Sequence, residues 1–93
     1  MKRKRIDHWH DGDSGYFTDG TPFRLANVRA PEKHQFGGSK ATRTAAGMTS
    51  RSNGYVNVQV VGKSYGRSVV TMSNGDGSIN TRLRRKGYWN KGR

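Results

Sequence analysis

Carboxylates are scarce in this chain, six against 18 lysines and arginines. Four of them, Asp7, Asp11, Asp13 and Asp19, fall between residues 7 and 19, and Glu32 closes the segment that begins at Phe23. A surface meant only to be cationic gains nothing from Asp11-Gly12-Asp13 or from Pro31-Glu32. Carboxylates kept within such a surface suit a bound cation, or a proton-transfer step at a polyanion. Arg24 lies between Phe23 and Leu25. On a strand it faces the side opposite to them and is free to meet phosphate. His8 and His10 flank Trp9 at period two, so they share a strand face. With Asp11 and Asp13 they form a candidate transition-metal set, weighed against ordinary polar strand residues.

The partner class follows from charge. Net charge is +12 with a pI near 11.0 in 93 residues, so nucleic acid comes first, and acidic membrane or polysaccharide second. Cysteine is absent, which excludes disulfides and thiolate metal sites. No segment approaches the roughly 18 apolar residues of a membrane span. Met1 to Arg5 resembles the charged start of a secretory leader, but no apolar stretch follows. The expectation is a soluble chain without a signal peptide, in a compartment that the composition leaves open.

The elements that must position these residues are short. The chain is 30% hydrophobic with mean hydropathy −1.00, a balance that leans toward disorder. Its apolar residues nevertheless gather in β-branched runs between glycines and asparagines, as strands and turns require. Residues 1–5 read as a basic arm or as the lead-in to a strand over Ile6–His10. Asp11 to Gly15 is a turn. Residues 16–18 and 21–25 form a hairpin about Asp19-Gly20, and Phe23, Leu25 and Val28 point to the core. Pro31 to Gly38 is a loop. Ser39 caps a helix running to about Thr49, with Ala41, Ala45 and Met48 as its apolar stripe. Residues 55–61 alternate strictly, Gly62 to Gly66 turn the chain, and residues 67–72 make a further strand. Ser78 or Asn80 caps a last helix through Lys86, with Ile79 and Leu83 on one face. Residues 90–93 read as a frayed tail. The whole is one domain over 1–93, mainly β with one or two short helices. Five strands with a helix between the third and fourth suggest an OB-type barrel.

Four motifs fall in register: Asp11-Gly12-Asp13-Ser14; Phe23-Arg24-Leu25 through Ala30-Pro31-Glu32; Tyr65-Gly66-Arg67; and Ile79-Asn80 before Leu83 and Gly87. Together, over about residues 6–89, they resemble the staphylococcal nuclease (thermonuclease-like) family. The resemblance implies an OB barrel that hydrolyses phosphodiesters of DNA and RNA, usually with calcium. It implies Asp13 as a metal ligand with Asp11 in support. It further implies Arg24 and Arg67 on the scissile phosphate, Glu32 as general base, and Tyr65 beside the nucleotide. Arg29, Lys63, Arg84 and Arg85 are the further basic residues expected on the nucleic acid.

Chemistry favours the same residue types. Guanidinium forks match the planar, bidentate oxygens of a phosphodiester better than an ammonium does. A hard cation held by carboxylates polarises phosphate and water together. One departure stands out: where the family has a second ligand aspartate, this chain has Arg29. Three outcomes are open: replacement by Asp11 or a histidine, phosphate binding by Arg29 itself, or loss of catalysis with retention of binding. The last is the rival reading, a non-catalytic nucleic-acid-binding OB domain. The chain also stops short of the family's C-terminal helix. The missing cover leaves two states open, a monomer and a homodimer formed by exchange of an element.

Overall fold

A computed structural model describes residues 2–32 and 34–89. The fold is mainly β, six strands in one sheet with two short helices. The strands are β1 (Lys2–Asp11), β2 (Ser14–Phe17), β3 (Pro22–Leu25), β4 (Tyr55–Ser64), β5 (Arg67–Asn74) and β6 (Gly77–Ser78). Helix α1 (Gly38–Ser50) enters between β3 and β4, and α2 (Ile79–Arg85) follows β6. The radius of gyration, 11.8 Å, matches the roughly 12–13 Å of a folded chain this size, so the polar composition does not prevent collapse.

The sheet order is β3-β2-β1-β4-β5-β6, and β3 also pairs in parallel with β5. The pairings of the first five strands therefore run in a closed circuit. The buried residues of these strands, Ile6, Trp9, Phe17, Phe23, Leu25, Val56, Val58, Val70 and Met72, form one cluster with Val28, Ala45, Met48, Ile79 and Leu83. Helix α1 is held to β1 by Trp9, whose indole Nε1 donates to Thr49 Oγ1 at 3.1 Å, while Ala41, Ala45 and Met48 face inward.

Several local expectations need correction. The α1 N-cap is Gly37, in the left-handed region at φ 81°, and Ser39 lies inside the helix. A Gly-Gly pair permits that conformation, which outweighs the hydroxyl cap. Strand β4 continues through Gly62 to Ser64, with a bulge between Val60 and Gly62, and the turn shrinks to Tyr65-Gly66. The basic run Lys2 to Arg5 belongs to β1 itself and pairs with β4. Of the two caps considered for α2, Ser78 is used, its hydroxyl accepting from the Thr81 N–H. Asn80 is buried instead: it accepts from Met72 N–H and donates to the carbonyls of Ala26 and Val70. It thereby ties α2 to β5 and to the segment after β3. The predicted tail, 90–93, lies outside the described residues. Among the described residues no helix is long and apolar enough to cross a membrane.

Candidate active-site cleft

Asp11 ends β1 and pairs with Ser14, and Asp13 is the second residue of the two-residue turn, Gly12-Asp13, between them. Gly12 is dictated by space. A Cβ there would stand 2.7 Å from Ala30 Cβ and 2.8 Å from Ala41 Cβ, so the turn rests on the 26–32 segment and on α1. Both aspartates are consequently buried. Asp11 Oδ1 accepts from Ser14 Oγ at 2.6 Å and from the Asp13 N–H at 3.3 Å. Asp13 Oδ2 accepts from the Ala30 N–H at 3.3 Å, while its backbone carbonyl takes the Leu25 N–H at 2.8 Å. The turn thus fixes the start of the loop that carries Glu32.

The two carboxyls share a hydrogen bond. Burial pushes the Asp13 pKa up to about 7, helped by the bond to Asp11 and by its charge. Burial also acts to raise Asp11, but the hydrogen bonds from Asp13 and Ser14 outweigh it and hold that pKa below its ordinary value. Below about pH 7 the pair therefore keeps roughly one shared proton, which is half lost near neutrality.

Arg24 pairs with Ser14 on one side and Val69 on the other, and its side chain faces away from buried Phe23 and Leu25. Arg67 opens β5 directly after the Tyr65-Gly66 turn, whose φ values are 51° and 79°. Tyr65 is a non-glycine residue in the left-handed region, a position normally left to Asn, Asp or Gly. Its side chain is 97% exposed. Glu32 lies in the loop after β3. Its N–H donates to Gln35 Oε1, and the Gln35 N–H returns to its carbonyl, both at 2.8 Å. His34 Nε2 stands 3.3 Å from Glu32 Oε2.

These residues meet in one cleft of about 320 Å³, lined by Asp11, Asp13, Arg24, Arg29, Ala30, Glu32, Gln35, Ser64, Tyr65 and Arg67. Arg29 is therefore part of the cleft wall. Lys63 is exposed beside Ser64, whereas Arg84 and Arg85 sit on α2 and do not line the cleft. The histidines separate. His8 pairs with Asp7 at 2.6 Å and stacks on Tyr16 at 5.0 Å, whereas His10 borders a neighbouring recess with Asp11, Glu32, His34 and Arg67. Bulges in β1 on either side of Trp9 upset the period-two face that would have joined them. Among the described residues no three His, Asp or Glu side chains converge as a metal-ligating group. The oxygen donors of the cleft are the buried Asp11–Asp13 pair and the exposed Glu32 carboxylate. Such a set suits a cation that keeps several waters and borrows oxygens from a substrate, rather than one caged wholly by protein.

Gln35 and the Ala30 N–H were not apparent in the sequence. A Gln three residues after Glu32 was the available signal for the first. The second depends on the packing of Gly12. A larger concavity, about 650 Å³ between β1 and α1, is lined by Arg5, Asp7 and His8 among mainly neutral residues. It does not gather the carboxylates and guanidiniums that the cleft does. No protein-family model matches the chain, and no curated protein matches it significantly.

Proposed function

We propose that this chain is a small nuclease of the staphylococcal type, built on a five-stranded OB barrel and cleaving DNA or RNA with little sequence preference. One observation carries the reading: four separate segments deliver an acid pair, one exposed carboxylate and three arginines to a single cleft.

In this reading Arg24 and Arg67 grip the non-bridging oxygens of a phosphodiester and meet the charge that builds there during attack. Glu32, on an exposed loop whose backbone is held by Gln35, takes the proton from the attacking water. Tyr65 offers its exposed ring to the adjoining base. Asp13, backed by Asp11, would hold a divalent cation, calcium by the resemblance. When bound, such a cation polarises the phosphoryl oxygen and lowers the pKa of water.

The test is cleavage of single- and double-stranded DNA and RNA with Ca²⁺, Mg²⁺, Mn²⁺ or EDTA. Glu32→Gln should lower turnover by roughly 10²–10⁴-fold while affinity stays within about twofold. A wild-type protein that binds but never cleaves, under any of these cations, would sink the nuclease reading. Arg29 in the cleft wall favours the second reading, a nucleic-acid-binding domain without catalysis, because a third guanidinium strengthens anion binding where an acid would strengthen cation binding.

A further inference from the structure

The outer face of β1, β4 and β5 lies away from the cleft walls, and its residues alternate with the buried core positions Val56, Val58 and Met72. The strand register sets this face out as rows. Arg5 stands opposite Tyr55, Arg3 opposite Asn57, and Asn57 in turn opposite Ser73. Gln59 stands opposite Thr71. Both arginines lie over one ring: the guanidinium carbons of Arg3 and Arg5 are 4.6 Å and 5.3 Å from the Tyr55 centroid. Next to them, Asn57, Gln59, Thr71 and Ser73 border a shallow recess of about 170 Å³. No carboxylate occurs among these seven residues, and the adjacent cation Lys4 is already neutralised by Asp19 at 2.8 Å. Strand β4 runs from this face to Ser64, at the edge of the cleft.

We propose that the outer β1–β4–β5 face is a second binding surface for single-stranded nucleic acid, with Arg3 and Arg5 on backbone phosphates, Tyr55 as a base-stacking platform, and Asn57 and Gln59 reaching base edges. The chemistry selects this occupant. A part-exposed aromatic ring flanked by amides, with two guanidiniums over it on long side chains that reach phosphates once a base takes their place, is what unpaired bases on a phosphate chain need. A duplex hides its base faces and would use the two arginines alone. The proposal rests on nucleic acid being the partner, as above, and does not depend on cleavage.

The experiment is fluorescence anisotropy of a labelled single-stranded oligonucleotide of about a dozen residues, with EDTA present and in the Glu32→Gln background so that nothing is cut. Parallel titrations use the matching duplex and heparin. Tyr55→Ala should weaken single-strand binding roughly tenfold. Arg3→Ala with Arg5→Ala should lower the slope of log K against log salt by about 0.7 for each arginine removed. Gln59→Glu changes one exposed atom, keeps the fold, and should weaken binding several-fold by charge repulsion alone. Single-strand affinity within twofold of the parent for both Tyr55→Ala and Gln59→Glu would overturn the proposal. Equal losses on oligonucleotide, duplex and heparin would also overturn it and leave an undiscriminating polyanion patch. Cleavage of a dinucleotide, too short to reach this face, should be the same with and without Tyr55. That separates failure of this surface from failure of the nuclease reading.

Discussion

Two Asp-Gly turns lie eight residues apart, and they do opposite things. Asp11-Gly12-Asp13 is buried, and Gly12 has no room for a methyl group against Ala30 and Ala41. Asp19-Gly20 is exposed. A methyl group added at Gly20 would have nothing within 4 Å, and the glycine is needed only for its φ of 88°, while Asp19 caps the turn and pairs with Lys4. The same dipeptide thus serves as a foundation in one place and as a plain reversal in the other. What surrounds a turn, more than its letters, decides whether its acids are available for chemistry.

The comparison breaks most visibly at the glycines. Gly12→Ala should cost about 2–3 kcal/mol, because the added carbon meets Cβ and backbone atoms that cannot swing aside. For a domain of this size that lowers Tm by roughly 10–20 °C. Gly20→Ala meets no atom and strains only its own φ, so about 1 kcal/mol is expected. Thermal melts of the two variants side by side check the ranking, and equal shifts would erase the contrast.

The aspartates should then respond to pH in opposite directions. The folded pKa of Asp13, about 7, exceeds its ordinary 3.8, so the folded state holds that proton more tightly. Its effect is absent below about pH 4 and becomes destabilising as pH rises from about 4 through 7. Asp13→Asn should therefore gain stability relative to the parent, by roughly 1–2 kcal/mol between pH 5 and pH 8 in EDTA, once the opposing Asp11 shift is counted. A divalent cation held by the pair should cancel that alkaline loss in the parent and not in the variant. Asp19 runs the other way. Lys4 and the Thr21 N–H depress its pKa, so its contribution is present above the ordinary carboxylate value and is lost as pH falls. Because Asp19 is exposed, Asp19→Asn should give the smallest shift of the set, seen above the carboxylate range, vanishing in acid, and reduced by salt. Denaturant titrations at three pH values distinguish the two aspartates.

Much of this was legible beforehand. Period-two alternation located β4, the Asp-Gly signal located the β2–β3 hairpin, and the Ala41, Ala45 and Met48 spacing located α1 and its buried side. Those patterns are local, and burial of one face enforces them. What stayed hidden depended on contacts between distant segments. Asn80, like Ser78, reads as a candidate helix cap, because both residue types favour that position. Only the approach of Ala26, Val70 and Met72 makes it a buried tie. Gly37 took the place of the expected Ser39 cap because the chain enters the helix with φ 81° there, a conformation that glycine adopts and serine resists. In the cleft, the types and order of the residues were readable, and so was the oddity of Arg29. Its place in the wall beside Arg24 and Arg67 was not, since it depends on the loop pinned by Asp13.

The parallel seam between β3 and β5 has a consequence for how the molecule comes into being. It joins residues about 45 positions apart, and it brings together the two strands that carry Arg24 and Arg67. Contacts of that span are slow to form, because the chain must be looped before they return any stabilisation. During synthesis the residues of β1, β2 and β3 are made well before residue 67, so Asp11, Asp13 and Arg24 leave the ribosome without Arg67. The cleft is thus assembled only after residue 67 has joined it, and until then its cationic wall lacks one of the guanidiniums that line it.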